Sequence, residues 1–141
     1  MGQKSPLHWV LLRHDCPADY RDGPHWDLML ERDDVSDEAG LATWSLLTLP
    51  TAWLASEAAT GACDAEVEAM QLDDHRAAYL TYEGPVSGGR GDVHRLASGE
   101  LLWLSDQDDQ VVARLAGDFD GVLTLQRQQT TQWRLLWNVA C

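Results

Sequence analysis

Basic residues are scarce in this chain. Ten Lys and Arg stand against 23 Asp and Glu, a formal net charge of −13 over 141 residues. Broad, sequence-independent attachment to nucleic acid needs a basic footprint, so this balance argues against it, although a local cleft could still receive a phosphate. Cysteine is sparse too. Cys16, Cys63 and Cys141 are odd in number and form no C-x-x-C pair, which implies neither a disulfide framework nor a zinc ribbon. Three scattered thiols fit a reducing cytoplasm. No apolar run approaches the roughly 18 residues of a membrane span. The run 6–12 is too short for a secretory signal and lacks a small-residue cleavage site. The expectation is a soluble, cytoplasmic protein with no membrane partner. Also missing are a G-x-S-x-G elbow, a dinucleotide fingerprint and H-E-x-x-H, so covalent serine catalysis and hydride transfer have no support. The glycine-rich stretch 84–91 lacks the phosphate-loop pattern and reads as a flexible or tightly turned loop.

What is present is apolar and strand-like. Hydrophobic residues make up 45% of the chain and include seven tryptophans, enough for one domain spanning residues 1–141 with a full core. The run 7–13 (LHWVLLR) reads as a first strand ending at His14, and turn chemistry fills 15–24. A strand over 25–31, an acidic loop over 32–40 and a strand over 41–47 follow. Alanines at 52, 55, 58 and 59 with Leu54 could line a short helix stopped by Gly61. For 67–72 periodicity does not choose between strand and helix, and 78–82 reads as a short strand. The last fifty residues hold five further runs, 92–96, 100–104, 111–115, 121–127 and 133–137, separated by turn signals. Short strands at about ten-residue spacing predict a barrel or sandwich. The expected fold class is mainly β, a compact closed or partly closed β-barrel with one or two short helices.

The stretch His25-Trp26-Asp27-Leu28-Met29-Leu30-Glu31 splits cleanly as a strand. Trp26, Leu28 and Leu30 take one face; His25, Asp27 and Glu31 take the other, with Met29 between them. Residues at i and i+2 on one face lie roughly 6.5–7 Å apart, close enough for His25 and Asp27 to lean toward one ion. His14, on the neighbouring apolar run, could add a third donor. Two histidines and a carboxylate suit Mn2+, Zn2+ or Fe2+. The same pattern fits solvated residues on an exposed strand, and spacing does not separate the two. His75, in Asp-Asp-His with Tyr79 four residues on, could bond a phosphoryl oxygen or transfer a proton, or could be an ordinary loop histidine.

The order of these motifs resembles the 3′-phosphoesterase domain of bacterial DNA ligase D and its stand-alone relatives. The counterparts run through nearly the whole chain: His14-Asp15, the stretch His25 to Glu31, Trp44, Asp73-Asp74-His75 with Tyr79, Tyr82-Glu83-Gly84-Pro85-Val86 with Gly89 and Gly91, and Trp133-Arg134-Leu135-Leu136. The resemblance implies a β-barrel whose cavity holds a manganese-type ion on His14, His25 and Asp27, with Zn2+ or another transition metal as alternatives. It implies catalytic positions at His75, Tyr79 and Asp15, and phosphate contacts from His75 and Arg76. The implied substrate is a DNA or DNA/RNA 3′ end, relieved of a 3′-ribonucleotide or a 3′-phosphate in end repair, with a separate ligase or polymerase as a further partner.

The chain departs from that pattern where phosphate would be held. Met29 stands at the family's arginine, Leu12 at its glutamine and Arg90 at its tyrosine, and the lysine after the tryptophan strand has no equivalent. Losing one charge-assisted contact costs on the order of 1.5–3 kcal/mol. Arg13, Arg76 and Arg90 are the cations that could compensate. The expected activity is therefore a metal-dependent phosphoesterase. A weakened relative that binds metal and a nucleic-acid end, nucleotide or protein without turnover is the alternative, and a small phosphoester is a third substrate the sequence does not distinguish.

Overall fold

The computed structural model describes residues 6–15, 25–32, 40–50, 53, 64–75, 77–80, 82–85 and 91–139. Nine strands carry almost all of this: β1 (Leu7–Asp15), β2 (His25–Glu31), β3 (Leu41–Leu46), β4 (Asp64–His75), β5 (Gly84–Pro85), β6 (Asp92–Asp106), β7 (Gln110–Gly117), β8 (Gly121–Gln129) and β9 (Gln132–Val139). The sheet order is β1-β2-β3-β4-β9-β8-β7-β6-β5, and β1 also pairs with β6, so eight antiparallel strands follow one another round a ring with β5 outside it. The mainly β expectation holds. Among the described residues no helix is long and apolar enough to cross a membrane. The proposed helix over 52–59 lies outside the described residues, apart from Trp53.

Alternation fills the interior. Trp9, Leu11, Leu28, Leu30, Trp44, Leu46, Leu115, Leu123, Leu125, Trp133, Leu135 and Trp137 belong to one buried cluster to which every strand of the ring contributes. At one end Phe119, from the turn between β7 and β8, stacks between Trp9 and Trp53, with ring centroids 5.4 and 5.0 Å away. Trp9 also donates its indole N–H to the Ala116 carbonyl at 3.1 Å. Apolar burial at about 25 cal/mol per Å² makes this packed interior the main source of stability.

Three local expectations are corrected or settled. The segment 67–72 is strand, part of β4. The segment expected as a strand over 78–82 is instead a 3-10 turn, Ala77–Leu80. A strand would send successive side chains to opposite faces, whereas the turn packs both Tyr79 and Leu80 onto one apolar cluster of Val10, Leu12, Met29, Leu41 and Val93. The runs 92–96 and 100–104 are one strand, β6, and Ser98-Gly99 is no turn. Glycine is needed at 99 because a Cβ there would lie 1.8 Å from the Ala116 carbonyl oxygen. Its value is close backbone approach to β7 rather than chain reversal.

Candidate metal centre

The final residue pair of the β1–β2 ladder sets His14 directly opposite His25. Directly opposed residues in an antiparallel pair share a face and lie about 4.5–5.5 Å apart at Cα. Asp27 follows His25 by two residues and therefore points the same way. The outcome is a convergent set: His14 Nδ1 stands 3.6 Å from Asp27 Oδ2, and His25 Nε2 stands 3.2 Å from Asp27 Oδ1. The two imidazole rings are tilted at 59° with centroids 4.8 Å apart. One donor atom from each residue can be chosen so that all lie within 4.8 Å of one another.

All three side chains are buried: His14 is 6%, His25 1% and Asp27 3% exposed. A carboxylate taken out of water between two imidazoles needs positive charge nearby, from protonated histidine or from a cation. The approach of His25 Nε2 to Asp27 Oδ1 is close but lacks hydrogen-bond alignment. Two imidazoles and one carboxylate converging in a buried set are the donor types that fit a divalent transition ion, with positions left for other ligands.

The set does not lie in the interior of the ring. His14 shares the face of Val10 and Leu12, and Asp27 shares that of Met29, all members of the smaller cluster on the outer side. Trp9, Leu11, Leu28 and Leu30 occupy the inner face. The expected cavity site is thus corrected: tryptophan and leucine fill the inside, and the candidate ligands sit outside, beside the turn that carries Tyr79.

The other expected site residues divide. Tyr79 is on the same face as the triad, in the small cluster, and its ring meets that of Tyr82 edge-on at 5.9 Å. Tyr82 in turn donates its hydroxyl to the Pro85 carbonyl. His75 is placed by its backbone, paired with Leu41, a residue of that cluster. Asp15 is not brought to the triad. Next to His14 in sequence, it points to the opposite face, where it is exposed and accepts a bond from Arg13 Nε at 3.0 Å. Arg13 follows it away, stacked 4.8 Å over the Trp26 ring, and so gives no phosphate contact at the triad. Arg76 and Arg90 lie outside the described residues. Glu31, at the far end of β2, accepts a bond from the His8 backbone N–H at 2.9 Å.

Met29 is 1% exposed and packed among Val10, Leu12, Leu41 and Val93, so the position next to Asp27 on the ligand face is apolar and closed. Two further neighbours became visible only through strand register. Ser45 of β3 lies directly across from Asp27, and Arg95 of β6 lies across from Leu12, two residues from His14 on β1. Comparison with protein-family models and with curated proteins found no match for this chain.

Proposed function

We propose that this protein is a divalent-metal-dependent phosphoesterase acting on the 3′ ends of DNA or DNA/RNA, working in DNA end repair as the 3′-phosphoesterase domains of bacterial DNA ligase D do. The observation that carries the reading is the convergence in one buried set of His14, His25 and Asp27, the three residues to which the resemblance assigns the ion. Mn2+ is the ion we assign first, with Zn2+ or another transition metal next. Such an ion supplies Lewis-acid chemistry to a phosphoester. The chain's own groups divide the remaining tasks. His14 and His25 offer imidazole nitrogens and Asp27 a carboxylate oxygen. The position of His75 opposite Leu41, next to the turn bearing Tyr79, supports a role in steadying the phosphate or protonating the leaving oxygen. A cytoplasmic location and cooperation with a separate ligase or polymerase belong to the same reading.

The test is direct. Purified protein with added Mn2+ is expected to remove a 3′-ribonucleotide or a 3′-phosphate from a primer end, and no removal from either primer refutes the reading. A second reading, metal binding without turnover, is favoured by one specific observation: Met29 puts a buried thioether where a phosphate-holding arginine would stand. Metal uptake with no turnover on a panel of phosphoesters would select it.

A further inference from the structure

In a chain with so few cations, where each arginine side chain goes is informative. Arg13 is bound to Asp15, Arg32 to Asp106, Arg127 to the Asp108 and Thr130 carbonyls, and Arg134 lies 3.6 Å from Glu66. Two described arginines are different. Arg95 and Arg114 are exposed, and neither guanidinium has a hydrogen bond or ion pair among the described residues. Arg114 is on β7, paired with Val122 of β8 and with Leu102 of β6, which is seven residues further along β6 than Arg95.

Arg95 stands beside the candidate metal centre. Register sets it opposite Leu12 and sets Val93 opposite His14, so Arg95 and Val93 share the outer face with His14, His25 and Asp27. It is therefore the diagonal neighbour of His14 across the β1–β6 pair. Such neighbours lie roughly 7–8 Å apart at Cα, within reach of a long side chain. The backbone there is fixed, because the Arg95 N–H donates to Glu83 Oε2 at 2.8 Å. The extra residue that shifts the register, Leu96, comes immediately after and is half exposed. On the β2 side of the triad the equivalent approach is closed by the buried Met29. An anion seated on the triad's ion is thus offered an apolar wall from β2 and an unengaged, planar, permanently charged donor from β6.

We infer that Arg95 is the phosphate-binding residue of this site, taking a terminal phosphate monoester by charge-assisted hydrogen bonds from β6 and so filling the role that Met29 cannot. This rests on the phosphoesterase reading for its substrate but not for its measurement. The probe is inorganic phosphate, titrated by calorimetry into protein loaded with one equivalent of Mn2+, for wild type, Arg95→Met, Arg95→Lys and Arg114→Met. One charge-assisted contact corresponds to about a ten- to hundred-fold change in affinity. Arg95→Met should weaken phosphate by that factor, Arg95→Lys should retain most of the binding as a point charge, and Arg114→Met should match wild type. Mn2+ affinity should be the same in all four, since Arg95 holds the anion and not the ion. Equal phosphate affinity in wild type and Arg95→Met overturns the inference, as does wild type that binds no phosphate. The two readings fail separately: no turnover on either primer refutes the phosphoesterase while Arg95-dependent phosphate binding stands. Turnover of a 3′-phosphate primer with the same KM in wild type and Arg95→Met refutes only the role of Arg95.

Discussion

Replacing Asp27 by asparagine separates a built metal site from ions gathered by an acidic surface. The side chain keeps its size in a position only 3% exposed, while the one anionic donor of the triad is lost. An ion that binds only the folded protein stabilises it by about 2.7 kcal/mol at a hundred times its Kd. Unfolding entropy of about 2.1 cal/mol/K per residue, over 141 residues, comes to about 300 cal/mol/K, so wild type should gain roughly 9 °C in Tm. If loss of the carboxylate weakens the ion about a hundred-fold, the same concentration sits near the new Kd and the gain falls to about 0.4 kcal/mol, or 1–2 °C. The assay is a thermal melt of wild type and Asp27→Asn with and without Mn2+. Asp108→Asn, on the exposed hairpin between β6 and β7, should keep the full shift. A shift in Asp27→Asn equal to that of wild type would place the ion elsewhere on a surface of net charge −13 and refute the site.

His75→Ala should abolish turnover of a 3′-phosphate primer while leaving the Mn2+-induced rise in Tm intact; a variant as active as wild type removes His75 from the chemistry. Met29→Ala should cost about 2–5 kcal/mol in urea unfolding, the usual range for a truncated core side chain, because Met29 is 1% exposed among Val10, Leu12, Leu41 and Val93. A loss under 1 kcal/mol would mean that the outer cluster is not a packed core. Gly99→Ala should cost about 3 kcal/mol or more, since the added methyl would meet the Ala116 carbonyl oxygen at 1.8 Å, backbone that cannot step aside as a flexible side chain would. An unchanged denaturation midpoint would show that Ser98-Gly99 is not pressed against β7.

Strand positions were legible where alternation was strong and local. The bounds of β2 and the separation of Trp26, Leu28 and Leu30 from His25 and Asp27 follow from a period of two. The failures were residues whose conformation is decided by distant chain. Gly99 looks like a turn until Ala116 is set against it. The run at Tyr79 and Leu80 has strand composition, yet it caps a cluster assembled from β1, β2, β3 and β6, and only a helical turn aims both side chains there. The triad itself was legible because two of its members are i and i+2 on one strand. Ser45 and Arg95 were not, because a neighbour across a ladder carries no mark in its own sequence.

The same reasoning explains why the side of the ring was misjudged. Period two separates a strand into two faces but does not say which face turns inward, and the usual guide is that the apolar face does. Here both faces of β1 and β2 are buried. Trp9, Leu11, Leu28 and Leu30 fill the interior, while on the outer side Val10, Leu12 and Met29 belong to a cluster packed by Tyr79 and Leu80, and His14, His25 and Asp27 are buried on the same face. A strand buried on both sides reads as a continuous hydrophobic run, as 7–13 does, and polar residues in it mark a site without locating it. The outer placement has a chemical consequence. A ligand of the kind proposed would have to reach the triad from the sheet's outer face, past the residues that bury it, rather than through the packed interior. Contacts to that ligand then come from cross-strand neighbours on the outer face. Of those, Met29 offers no charge and Arg95 does, so under the proposal that Arg95 takes the phosphate it is the register between β1 and β6, rather than the motif in β2, that would set how phosphate is held.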